Sequence, residues 1–147
     1  MDTRFEIVPD FYIGYTKTLN SVESNNICKI DTTINCEKDL SFVGKYKEYN
    51  NPDIKQRLIL YEIDKIVEYL IECANIIYNS ITQNKAIMVY CDDCNQKSPT
   101  IALVYLMKYG KLDIQSAIDI IKSKKPDVFY PQIEFSLPIK KLGNKII

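Results

Sequence analysis

The stretch Ala86-Ile87-Met88-Val89-Tyr90-Cys91-Asp92-Asp93-Cys94-Asn95-Gln96-Lys97-Ser98-Pro99-Thr100 decides how the rest of the chain is read. Ile87 to Tyr90 form a short unbroken apolar run of the kind that makes a strand covered on both faces, and the polar residues that follow leave no room to continue it. Ser98 followed by Pro99 suits the N-cap and first helical positions, because proline lacks an N–H that would be orphaned there. Ile101, Leu103, Val104, Tyr105, Leu106 and Met107 then supply a helical apolar pattern. Cys91 to Lys97 is therefore expected to be a loop wrapped over the positive end of a helix, a geometry that suits anions.

Working outward, Leu58 to Ile63 reads as a buried strand ending at Asp64, and Lys65 to Thr82 as a helix of about five turns. Its apolar positions are Ile66, Tyr69, Leu70, Cys73, Ile76, Ile77 and Ile81. Phe5–Val8 and Phe11–Tyr15 are β-prone pieces split at Pro9-Asp10, which a simple hairpin would also explain. Thr18 to Asn25 suggests a short helix, and the β-branched segment Ile27 to Ile34 a strand. Asn35 to Gln56 reads as a long connection with one edge strand near Phe42 to Tyr49. Beyond the loop helix, Gly110 suits a left-handed C′ position. Asp113 suits the cap of a helix whose core face is Ile114, Ala117, Ile118 and Ile121. Pro138 would cost about 3 kcal/mol inside a helix, so a last helix must start late, be short or kink.

These residues carry a resemblance. The loop resembles the phosphate loop of the cysteine-dependent, dual-specificity protein tyrosine phosphatases, whose signature is His-Cys, five residues, then Arg-Ser or Arg-Thr, with a glycine third after the cysteine. Here it reads Tyr90-Cys91, five residues, then Lys97-Ser98, so nucleophile and hydroxyl are present while histidine, glycine and arginine are replaced by Tyr90, Cys94 and Lys97. Phe11 to Gly14, Tyr69 before the loop strand, the basic run Ser123 to Pro126, and Pro131 to Phe135 also resemble the family. The resemblance implies an α/β, tyrosine phosphatase-like fold, with a central, mostly parallel twisted sheet flanked by helices and the phosphate loop between a buried strand and a helix. Residues 1–147 are expected to form one such domain.

In active relatives the thiolate attacks phosphorus, loop N–H groups and an arginine fork hold the phosphoryl oxygens, and a mobile aspartate protonates the leaving group. Carried over, Cys91 is a vestigial nucleophile, and Asp92, Asp93, Cys94, Asn95, Gln96, Lys97 and Ser98 form the loop. Asp64 is the positional match for the general acid, a few residues nearer Cys91 than family aspartates stand, with Glu62 a poorer substitute. Lys97 offers a point charge where a planar five-donor fork is wanted, and Asp92 and Asp93 put negative charge beside thiolate and dianion. The plain alternatives are a buried small hydrophobe for Cys91, a helix N-cap for Asp64 and a solvated surface lysine for Lys97.

Lysine plus arginine and aspartate plus glutamate both number 19, giving zero formal charge, so neither nucleic acid nor a membrane surface is an expected partner. Five cysteines without a secretory or transmembrane pattern fit a reducing interior, cytoplasmic or nuclear. Histidine is absent, which removes the usual neutral-pH proton shuttle, and neither cofactor nor metal is expected. Three functions stay open: a pseudophosphatase that binds a protein partner, phosphorylated partners included; a weak phosphatase using Cys91, Lys97 and Asp64; and a thiol redox protein using Cys91 and Cys94. Zinc would need Cys28, Cys36 or Cys73 to join that pair.

Overall fold

The computed structural model describes residues 4–15, 30–36 and 52–146. The chain runs β1 (Arg4–Val8), β2 (Phe11–Tyr15), β3 (Thr32–Asn35), α1 (Pro52–Thr82), β4 (Ile87–Cys91), α2 (Lys97–Lys108), α3 (Ile114–Lys124) and α4 (Ser136–Ile146). The sheet order is β1-β2-β4-β3, with β4 parallel to both neighbours and β1 antiparallel to β2 across the Pro9-Asp10 turn. It is thus the mostly parallel sheet with flanking helices that the sequence leads one to expect. The helix expected at Thr18 to Asn25 and the edge strand near Phe42 to Tyr49 lie outside the described residues.

β4 is central because nothing along it needs water: all five of its residues are buried. Its start is fixed by Asp31, whose carboxylate accepts from the Ala86 N–H at 2.9 Å while the backbone N–H groups of Asp31 and Thr32 donate to the Ala86 carbonyl. Its end is Cys91, paired in register with Tyr15 of β2. Among the described residues β3 stands at the end of the sheet.

The segment Leu58 to Ile63, expected as a strand, is helical and belongs to α1, which continues unbroken from Pro52 to Thr82. A short apolar run cannot by itself distinguish a strand from a buried helix face. Here the stripe Ile63, Ile66, Val67, Leu70, Cys73, Ala74 and Ile77 steps by threes and fours and is buried throughout, carrying the helical period across Asp64. Ile76, another apolar position of this helix, is 38% exposed. α1 packs on α2 and α4, and α3 packs on α2 and β1.

α2 is buried on all sides from Ser98 to Met107. Beyond it, the left-handed residue is Lys111 (φ 56°) and not Gly110. Gly110 answers a different need, since a Cβ there would stand 2.5 Å from the Leu106 carbonyl oxygen. Asp113 caps α3 as expected, accepting from the Ser116 N–H at 2.7 Å, and that bond holds its carboxyl below the usual range. α4 starts late, so Pro138 falls in its first turn, where a missing N–H costs little. Among the described residues no helix is long and apolar enough to cross a membrane.

Candidate functional site

The strand ends at Cys91, α2 starts at Lys97, and the residues between them curl over the helix start. The N-cap position belongs to Gln96 and not, as the sequence suggests, to Ser98, which is the second residue of α2. The reason is visible in the hydroxyl's partners. Ser98 Oγ is engaged with sulfur, standing 3.1 Å from Cys91 Sγ and donating to Cys94 Sγ at 3.6 Å.

Cys91 is 0% exposed. Burial pushes its thiol up from the ordinary value, hydrogen bonding from Ser98 pulls it partly back, and the Asp93 carboxylate adds to the rise. Asp93 is close enough for Cys91 Sγ to donate to its Oδ1 at 3.7 Å, and the same oxygen accepts from the Asn95 N–H at 3.1 Å. The helix start and the hydroxyl would favour a thiolate, yet desolvation wins.

Cys94, in the place where the signature has glycine, takes the left-handed backbone conformation (φ 49°). Holding a residue with a Cβ in that conformation carries strain on the order of 1 to 2 kcal/mol. Its thiol is buried and pushed up to about 12, chiefly by desolvation.

Asn95 and Gln96 reach outward to the segment before α4. Asn95 Nδ2 donates to the Tyr130 carbonyl at 2.9 Å, and the Tyr130 N–H donates to Asn95 Oδ1 at 3.3 Å. Gln96, only 4% exposed, donates from Nε2 to the Gln132 carbonyl at 3.0 Å and accepts at Oε1 from the Glu134 N–H at 3.1 Å. Two amide side chains thereby imitate strand pairing and hold residues 130–134 as a wall beside the loop. This wall was invisible in the sequence except as Pro131 to Phe135, and Glu134 is the site residue that sequence reasoning missed.

Between wall and loop lies a cleft of about 280 Å³ lined by Asp92, Asp93, Gln96, Lys97 and Glu134. Three carboxylates face one ammonium there. Beneath the loop, buried Lys125 pairs with Asp127 at 2.8 Å and lies over the rings of Phe5 and Tyr15. Burial opposes its charge, but the Asp127 bond and nearby Tyr15 and Cys94 outweigh that and raise its pKa.

Asp64 stands apart from this assembly. It lies inside α1, half exposed, in an ion pair with Lys141 of α4, and it is neither a helix cap nor part of a loop after a strand. Residues 58–64 are thus helix where a strand ending at Asp64 was expected. Of the expected site residues, Cys91 to Ser98 are brought together and Asp64 is not among the cleft's lining. Cys73 is buried on α1, and no group of three or more metal-type ligands forms among the described residues.

A family profile described as dual specificity phosphatase, catalytic domain, matches residues 11–145. MAP kinase phosphatase with leucine-rich repeats protein 3 of Dictyostelium discoideum is 26% identical over 127 residues, which is 84% of this chain and 14% of that protein. The chain thus spans only a small part of that relative. The 123R protein of Invertebrate iridescent virus 6, named for an inferred tyrosine phosphatase activity, is 22% identical over 95% of this chain and 89% of its own. Among solved structures, a leucine-rich repeat and phosphatase domain protein from Entamoeba histolytica superposes with TM-score 0.74 at 16% identity, over 97% of this chain and 92% of that one. The human tyrosine phosphatase-like serine/threonine/tyrosine-interacting protein superposes with TM-score 0.69 at 12% identity, over 97% and 96%.

Proposed function

The chain belongs to the family of dual specificity phosphatase catalytic domains, and from that membership we propose that it is a pseudophosphatase that works by binding a protein partner, phosphorylated partners included. One observation carries this reading: the sulfur that would attack has no exposed surface, while Asp92, Asp93 and Glu134 line the cleft where the phosphoryl group would sit.

Magnitudes favour it. At an effective dielectric near 20, unit charges about 5 Å apart interact by roughly 3 kcal/mol, so a dianion beside several carboxylates meets more repulsion than Lys97 can offset. The α2 start contributes about 0.3 to 2 kcal/mol in the other direction. Loss of the arginine fork removes a further ~3 kcal/mol of transition-state stabilisation by analogy with a lost oxyanion donor. Asp64, the expected general acid, is held in α1 and is not among the residues lining the cleft. A fold of this shape also occurs in a human protein whose name describes it as phosphatase-like and interacting.

A second reading, weak cysteine-dependent hydrolysis of a phosphoester, is favoured by the 3.1 Å contact of Ser98 Oγ with Cys91 Sγ, which keeps a hydroxyl on the sulfur. Hydrolysis of a generic aryl phosphate separates the two. The wild-type chain should show none above buffer. Turnover that is lost in Cys91→Ser would favour the second reading.

A further inference from the structure

Four hydrogen bonds tie the wall of residues 130–134 to the loop, two between the Asn95 side chain and the Tyr130 backbone and two from Gln96 to Gln132 and Glu134. The cleft between them is set before anything enters, which spares a ligand the cost of ordering it. Its carboxylates come from both sides, Asp92 and Asp93 from the loop and Glu134 from the wall, and against Lys97 they leave two negative charges in excess. The Asn95 N–H, 3.1 Å from Asp93 Oδ1, holds one of them in place. Among the described residues no three metal-type ligands come together, so these carboxylates suit a wide organic cation better than a metal ion. A separate feature points the same way. Tyr130, at the loop end of the wall, is 76% exposed although its N–H and carbonyl are both pinned by Asn95. An uncovered ring on a fixed backbone beside a negative cleft draws a guanidinium or ammonium through its face, in addition to the pull of the carboxylates.

We propose that this face is the docking surface for an arginine- or lysine-rich segment of the partner protein, with one cationic side chain seated in the cleft and a neighbouring one over the Tyr130 ring. The inference rests on the reading of the chain as a partner-binding pseudophosphatase and names the chemistry of the partner. Charge complementarity chooses the occupant. A phosphorylated segment would carry its dianion toward three carboxylates, whereas a basic side chain meets two uncompensated charges and replaces repulsion by attraction. An extended segment points alternate side chains to the same side, so basic residues two apart can serve cleft and ring together. Asp92, Asp93 and Glu134 are all exposed, so the attraction is screened and weakens as salt rises.

The test follows the fluorescence anisotropy of a labelled peptide of alternating arginine and glycine as the intact chain is added. Saturable one-to-one binding is expected, with none for a peptide of alternating serine and glycine. Asp92→Asn combined with Glu134→Gln changes charge at exposed positions with little change of shape, and should weaken binding by about tenfold, from two exposed ion pairs. Tyr130→Ala, which removes a solvent-facing ring, should weaken it by a few fold. Glu72→Gln combined with Asp119→Asn removes the same charge from exposed positions outside the cleft and should leave binding unchanged. The proposal is overturned if the arginine peptide does not bind, if the two double variants weaken it equally, if a phosphotyrosine peptide binds more tightly, or if the chain pairs with itself through the cleft. Failure here leaves the pseudophosphatase reading standing, since that reading falls only to thiol-dependent turnover.

Discussion

Ser98 Oγ stands 3.1 Å from Cys91 Sγ, buried in the fold, and Ser98 is the second residue of the helix that the sequence suggests it caps. Around that pair, burial decides the chemistry: a hydroxyl and a helix start favour the thiolate, and desolvation raises the thiol nonetheless. Alkylation of Cys91 by iodoacetamide should therefore be slow at neutral pH and climb well above the range of an ordinary cysteine. Reactivity already at its maximum at pH 7 would show a sulfur that is ionised there.

The same burial makes stability depend on pH through Cys94. Its folded value is about 12 against an ordinary 9.0, so the folded chain holds the proton more tightly than the unfolded one. The contribution is complete below pH 9.0 and is lost as pH rises toward about 12. Denaturation midpoints should fall across that window, and Cys94→Gly should flatten the fall. An unchanged slope in the variant would contradict the assignment.

Backbone shape at Cys94 gives a separate test. Gly at φ 49° relieves strain while losing a buried thiol, so Cys94→Gly should stay within about 1 kcal/mol of wild type. Cys94→Val, β-branched where φ is positive, should lose about 2 kcal/mol or more in chemical denaturation. Equal stability of the two variants would mean that the loop takes another conformation.

The cleft wall hangs on Gln96. Gln96→Leu removes both bonds to residues 132 and 134 and leaves a partly buried carbonyl and N–H without partners, costing about 1 to 3 kcal/mol each at most. Amide hydrogen exchange at Glu134 should accelerate in that variant. Unaltered protection would show that the wall stands without the latch.

Asp64 offers the opposite expectation. A half-exposed ion pair with Lys141 is worth between zero and about 1 kcal/mol, so Asp64→Asn should barely move the denaturation midpoint. Any phosphatase activity should be equally unmoved, and a large selective loss of activity would restore Asp64 as an acid.

The sequence disclosed the strand, loop and helix around Cys91 because a buried central strand and an all-buried helix both leave unbroken apolar signatures, and the polar run between them has only one place to go. It misled at Leu58 to Ile63, where a few apolar neighbours look alike in a strand and in a helix; the burial of Ile63, Ile66 and Val67 shows the period that settles it. Asp64 followed that error, since its expected role came from standing at a boundary that does not exist. Local spacing alone makes Ser98 look like a cap, whereas its partners are two sulfurs, and one of them stands at the end of another element. Glu134 reaches the cleft through Gln96, a contact across 38 residues that no local pattern encodes.

The central claim is that the loop has kept its shape and lost its chemistry, and the most direct measurement is hydrolysis of a generic aryl phosphate by wild-type chain beside Cys91→Ser. The account predicts equal rates at the level of buffer for both. Turnover by the wild type that disappears in Cys91→Ser would contradict it.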